Sequence, residues 1–223
     1  MVNDFEVEKY FSENTVKKSF SELSINKQSG KPLVISETQG YDYETCVLKL
    51  FKSNPLKMVD ALYIKDNQLY FIEFKSGFVQ NINYDTFDIT KWWCNSAEKT
   101  CEEGAKIFLK NQELIIDELI ESVKGKLLET NAILFKLILP KCEVSKKSYK
   151  IHYVAVVDEL QNPIESIENV FGSLGNSIKK ESPINRLRDS LKKYNINDAF
   201  GNPMFFDYID VWNTFDFIER TKA

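Results

Sequence analysis

The sequence predicts an α/β domain: a mixed central sheet of four or more strands flanked by helices, with helical additions at both ends. Three observations predict it. Met58–Ile64 and Leu69–Lys75 are short runs apolar on both faces, the pattern of central strands covered on each side. Lys65-Asp66-Asn67-Gln68 between them has turn chemistry, because Asp and Asn tolerate left-handed backbone. Segments of helical spacing lie before and after this hairpin, and another apolar run follows at Tyr149–Val157.

Taken in order, residues 1 to about 30 carry short apolar clusters (Val7, Tyr10, Phe11, then Phe20, Leu23, Ile25) that predict one or two short helices ending at Ser29-Gly30-Lys31-Pro32. Pro32–Ser36 reads as a short strand. Tyr43, Val47, Leu48 and Phe51 recur at helical spacing, with Asp42 as the N-cap and Pro55 beyond the end. After the hairpin, a loop leads to a long helical region from about Asp88 to Leu128, which Gly104, Asn111 and Gly125 are expected to break. Ala132–Leu139, closed by Pro140, predicts a strand, and Lys146-Lys147 a turn before the strand at Tyr149–Val157. Asn162-Pro163 opens a more polar C-terminal part, with a helix near Ile184–Tyr194 and a strand at Met204–Val211.

Composition narrows the function classes. An apolar content of 43% over 223 residues supports one sizeable core. No apolar run approaches the roughly 18 residues of a membrane span, and the acidic start, Met1-Val2-Asn3-Asp4-Phe5-Glu6, lacks the layout of a secretory signal, so a cytoplasmic protein is expected. Cys46, Cys94, Cys101 and Cys142 form no CxxC pair, and the sole histidine, His152, lies in an apolar run. These predict buried thiols and a core or sheet-surface histidine in preference to a zinc site or a Ser-His-Asp triad. The net charge of −4 advertises no nucleic-acid binder, although a local basic face suffices for phosphate contacts.

The chemistry lies in three charged residues set in otherwise apolar strands. Burying charge costs several kcal/mol unless it is compensated. Glu73 and Lys75 are two apart on one strand and point to one face. With Asp66-Asn67 as a two-residue turn, Lys65 pairs with Gln68 and, counting back, Asp60 lies opposite Glu73, Cβ atoms about 4.5–5.5 Å apart. Two facing carboxylates repel, and a divalent cation turns that repulsion into binding. Mg²⁺ is held by one or two carboxylates with water and substrate phosphate, and Lys75 is placed to orient a water or hold a phosphate oxygen. The three residues together read as phosphodiester hydrolysis.

Asp60, twelve intervening residues and then Glu73-Phe74-Lys75 resemble the D…(D/E)xK signature of the PD-(D/E)XK nuclease superfamily. The order of elements also matches: a helix, a strand bearing the Asp, a strand ending in ExK, a helix and a further strand. The stretch Phe71-Ile72-Glu73-Phe74-Lys75-Ser76-Gly77, followed by Lys91, Asn95, Ser96 and Lys99, looks similar to uncharacterised phage-like and bacterial members. The resemblance implies a restriction-endonuclease-like fold, a Mg²⁺ or Mn²⁺ cofactor held by Asp60 and Glu73 with the Phe74 carbonyl as a third ligand, and Lys75 assisting the attacking water. It implies Glu44, on the first core helix, as a fourth catalytic residue. It covers residues 41–157 as the core of a single domain over 1–223, leaving 1–40 and 158–223 as N- and C-terminal extensions. The implied partner is nucleic acid, DNA ahead of RNA, with no membrane; a homodimer or a protein partner is compatible with it.

Blander readings compete. Lys75 pairing with a carboxylate near the strand ends would make the charges structural. Glu44 suits a first-turn carboxylate favoured by the helix dipole. Trp92-Trp93 suits packing on the sheet. Lys179, Lys180, Arg186, Arg188, Lys192 and Lys193 suit a solvated helix face somewhat better than a phosphate-contacting one. The alternative function is a catalytically inactive nuclease-like module binding nucleic acid or protein, phage- or defence-related.

Overall fold

The computed structural model describes residues 5–27, 29–51, 57–76, 102–142, 149–158 and 183–222. The elements are α1 (Phe5–Asn14), β1 (Lys17–Ser19), α2 (Phe20–Leu23), β2 (Gln39–Asp42), α3 (Tyr43–Leu48), β3 (Ala61–Lys65), β4 (Gln68–Lys75), α4 (Glu102–Ile133), a π-helical segment Leu134–Ile138, α5 (Leu139–Lys141), β5 (Lys150–Val157), α6 (Pro183–Lys192), β6 (Tyr208–Asn213) and α7 (Thr214–Thr221).

Six strands form one mixed sheet in chain order, β1-β2-β3-β4-β5-β6. The first four pair antiparallel; β5 and β6 join parallel. Parallel neighbours need a crossover connection, and the path from β4 to β5 includes the long helix α4. The expected mixed sheet of four or more strands flanked by helices is present, and its strands come from both ends of the chain as well as from 41–157.

Two cores lie on the two faces. One face carries Leu62, Leu69, Phe71, Tyr153 and Ala155 beneath α1, α3, α4 and α6. The other carries Ala61, Ile72, Phe74, Val154 and Val156 beneath α2 and α7. Gly40 in β2 lets α2 approach closely, since a Cβ there would stand 2.8 Å from Phe20 Cε1.

The hairpin forms as predicted. Asp66 and Asn67 take φ of 49° and 59°, the left-handed pair that a two-residue turn matched to strand twist requires. Lys65 pairs with Gln68, and the register runs without a slip to Ala61 opposite Ile72. Asp42 caps α3, its carboxylate accepting from the Thr45 N–H at 2.9 Å. The helix near Ile184 and the strand near Tyr149 are also present.

Four expectations fail. Ala132–Leu139 is not a strand: α4 runs unbroken through Gly104, Asn111 and Gly125 to Ile133 and continues as the π-helical segment. A wholly apolar run carries no period to separate a buried helix from a buried strand. The π-helical widening has a cause in Pro140, which lacks an N–H and crowds the carbonyl four residues back; Leu139 N–H donates to Leu134 five residues back. Pro32–Ser36 forms only an isolated bridge, Ile25 with Pro32. The last strand starts at Tyr208 rather than Met204 and runs on to Asn213. Neither β1 nor α7 was expected. The predicted helix start at Asp88, the pair Trp92-Trp93, Lys91, Cys94, Asn95, Ser96, Lys99, Cys101, Asn162-Pro163, Lys179 and Lys180 lie outside the described residues.

Candidate active site

Asp60 sits where β3 begins, and its backbone is tied on both sides. Its N–H donates to the Ile72 carbonyl at 3.0 Å, and its carbonyl accepts from the Tyr43 N–H at 3.2 Å. The preceding residues are held by α4: Val59 N–H donates to the Thr130 hydroxyl at 3.3 Å, and Lys57 N–H to the Glu129 carboxylate. The ladder stops at Ala61, and the Asp60 side chain takes over, Oδ2 accepting from the Phe74 N–H at 2.7 Å.

Glu73 lies next to that contact in β4 and is fully buried. It shares a face with Phe71 and Tyr153, beneath α4. From α4, Lys126 reaches between the two carboxylates: Nζ stands 2.7 Å from Glu73 Oε2 and 3.4 Å from Asp60 Oδ1. One helical turn earlier, Ser122 Oγ meets Lys75 Nζ at 3.3 Å. Ser122 and Lys126 are four apart and therefore share a helix face, so one stripe of α4 contacts Asp60, Glu73 and Lys75.

The electrostatics follow from burial. Burial and then the charge of Asp60 push the Glu73 carboxyl well above the usual carboxylate range, against the pull of Lys126. Burial raises Asp60 too, opposed by Lys126 and the Phe74 N–H. The two carboxylates hold Lys126 above the ordinary lysine range despite its burial. Nearby, the buried Tyr153 hydroxyl donates to the Val123 carbonyl at 3.0 Å, and burial raises its pKa well above the usual phenol value. Glu73 Oε1 is buried with no hydrogen-bond partner among the described residues, an exception that calls for a physical reason.

Of the predicted site residues, Asp60, Glu73 and Lys75 come together on one face. Among the described residues Lys75 Nζ contacts Ser122 and its charge acts on Glu73, whereas the salt bridges to the pair are made by Lys126. The Glu44 carboxylate pairs with Lys27 at 3.5 Å in an exposed contact, one residue from the Tyr43–Asp60 hydrogen bond. The Phe74 N–H faces Asp60, and a strand residue's N–H and C=O point to the same edge, so the Phe74 carbonyl opens toward the Asp60 side. Sequence reasoning missed Lys126 and Ser122. The weak signal was their i,i+4 spacing beside the apolar positions Val123 and Leu127.

A divalent cation suits these donors. A buried carboxylate oxygen with no partner among the described residues, a second carboxylate facing the same ammonium and a nearby carbonyl would fit the small protein share of a Mg²⁺ shell. Among the described residues no three His, Cys, Asp or Glu side chains converge as a metal-binding group, so the acidic donors here are two. Elsewhere, the basic residues of α6 are largely engaged: Arg186 with Asp117, Arg188 with Asp210, Lys192 with Asp189. Cys46 and Cys142 are buried and form no disulfide among the described residues. No described helix is long and apolar enough to cross a membrane.

Comparison with protein-family models, with curated proteins and with solved structures finds no match.

Proposed function

We propose that the protein is a Mg²⁺- or Mn²⁺-dependent nuclease of the PD-(D/E)XK type, with a restriction-endonuclease-like fold, hydrolysing nucleic-acid phosphodiester bonds. The observation that supports it most is the meeting of Asp60 with the buried Glu73, whose Oε1 has no partner among the described residues, beside Lys75. Asp60 and Glu73 bind the cation and the Phe74 carbonyl adds a ligand. A cation held there supplies Lewis-acid stabilisation of phosphate charge and a water of lowered pKa. Lys75, steadied by Ser122, orients the attacking water or holds a phosphate oxygen. Lys126, in contact with both carboxylates, supplies the positive charge that a bound cation would supply there. DNA is the preferred substrate over RNA, bound through local cationic groups since the net charge is −4.

The test is cleavage of plasmid and single-stranded DNA in Mg²⁺ or Mn²⁺ by wild type and by Asp60→Ala, Glu73→Ala and Lys75→Ala, with folding followed by circular dichroism. Each variant is expected to lose about 10²-fold or more. Full activity in folded Lys75→Ala removes its assigned role; no cleavage by wild type in either metal removes the reading.

One observation favours a second reading. The Lys126 ammonium already balances Asp60 and Glu73, as in a structural ion-pair cluster, which suits an inactive nuclease-like module binding nucleic acid or protein. Salt-sensitive nucleic-acid binding without cleavage supports that alternative.

A further inference from the structure

On the sheet face opposite Asp60 and Glu73, the strand registers bring four rings into one row. Tyr63 pairs with Tyr70, Tyr70 with His152, and His152 with Tyr208, across β3, β4, β5 and β6. Tyr70 and His152 stack with centroids 4.6 Å apart and planes 16° from parallel. Tyr63 lies 6.1 Å from Tyr70, and Tyr208 5.7 Å from His152. The row lines a cavity of about 250 Å³ whose rim carries Lys65 and Arg220.

A plain core does not account for this row. Tyr208 is 46% exposed. His152 Nε2 has no hydrogen-bond partner among the described residues although it is buried. Burial holds the imidazole below the usual histidine range, so it is neutral at pH 7 and presents one donor and one acceptor nitrogen. Arg220 lies 4.8 Å over the Trp212 ring and has no carboxylate partner among the described residues. Its charge reaches the Tyr70 and Tyr208 hydroxyls. Lys65 Nζ donates to the Lys222 carbonyl at 3.2 Å, which fixes the ammonium at the rim. Asp210, which accepts from Tyr208 and Trp212, is itself paired with Arg188.

Flat aromatic faces accept a planar π-system whatever its identity, and cations beside them accept an anion. The cavity has room for one base and part of its sugar, not for a protein segment. The geometry points to a nucleotide-binding platform: a base seated in the cavity against the exposed parts of the Tyr63, Tyr70, His152 and Tyr208 rings, its phosphate on Arg220 and Lys65. The ligand is a free nucleotide or one unit of a nucleic-acid strand, which share this chemistry. The platform does not depend on cleavage at Asp60 and Glu73.

The test titrates AMP into the full chain in EDTA and follows the ring resonances of His152, the sole histidine, by NMR. A saturable shift is expected, with adenosine alone and inorganic phosphate alone each binding about tenfold more weakly or less. Arg220→Gln should weaken AMP but not adenosine, and Tyr208→Leu should weaken both; both residues are exposed, so the fold is retained. A hexadeoxyadenylate that binds tighter than AMP assigns the site to a strand, and equal binding assigns it to free nucleotide; both support the platform. His152 signals unmoved by about 10 mM AMP and by the hexamer overturn it, as does binding that both variants leave unchanged. With no divalent metal present, a failed nuclease reading would not alter these outcomes.

Discussion

The Nζ of Lys126 lies 2.7 Å from Oε2 of Glu73, a contact that joins the long helix to the central strand with the glutamate side chain only 1% exposed. A buried carboxylate facing a second carboxylate is tolerable only with a cation or a proton nearby. Lys126 is that cation here, and under the proposed function a bound metal would compete with it.

Removing the cation should be costly. Lys126→Met removes the ammonium in contact with Glu73 and Asp60 and is expected to destabilise metal-free protein by about 3–5 kcal/mol. Adding Glu73→Gln should recover much of that loss, because the remaining charge is single. Urea unfolding of the two single variants and the double variant measures the coupling; additive effects would show that the contact contributes little.

The pH dependence has a definite sign. The folded Glu73 carboxyl holds its proton above its ordinary value of 4.5, because of burial and then Asp60. Below that value both folded and unfolded chains are protonated, and the contribution to stability is fully present. As pH rises toward the folded pKa the unfolded chain ionises first, and that stability is lost, by up to about 1.4 kcal/mol per pH unit. Asp60, also raised, acts in the same sense. Lys126 is raised in its turn, and its contribution is lost only above the ordinary lysine value. Glu73→Gln should thus gain on wild type in EDTA as pH rises above the ordinary value of 4.5 toward the raised folded pKa, read as the difference in urea midpoints. A constant difference contradicts the raised Glu73.

The hairpin turn offers a local check on the register that brings Asp60 to Glu73. Asn67 has φ of 59°, where a β-branched side chain is strained and glycine is at ease. Asn67→Val should cost about 1–2 kcal/mol, whereas Asn67→Gly should be neutral or slightly stabilising. Thermal unfolding distinguishes them, and equal melting temperatures would refute the turn geometry.

What was legible in the sequence was local. The Asp66-Asn67 turn and the period of two in its strands determine the hairpin by counting as far as Ala61 opposite Ile72; beyond that pair Asp60 N–H bonds Ile72 and its side chain bonds the Phe74 N–H. Asp42 announced the start of α3 through capping chemistry. Non-local features were hidden. Lys17-Lys18-Ser19 and Gln39-Gly40 have no strand signal and become β1 and β2 only by pairing along an existing edge. Ala132–Leu139 is apolar throughout, so tertiary packing decided its form. Lys126 resembles any solvated helix lysine until α4 is laid across β4. The row from Tyr63 to Tyr208 depends on two parallel registers, which no turn specifies. Asn213 and Asp216, which begin α7 with a side-chain cap, were a readable signal that went unused.

The central claim is that Asp60 and Glu73 hold a divalent cation in competition with Lys126. Titration calorimetry of Mn²⁺ into metal-free wild type, Lys126→Met and Asp60→Asn/Glu73→Gln tests it most directly. The account predicts saturable binding to wild type, tighter binding to Lys126→Met and none to the double variant. No binding to wild type, or binding that the double variant retains, would contradict it.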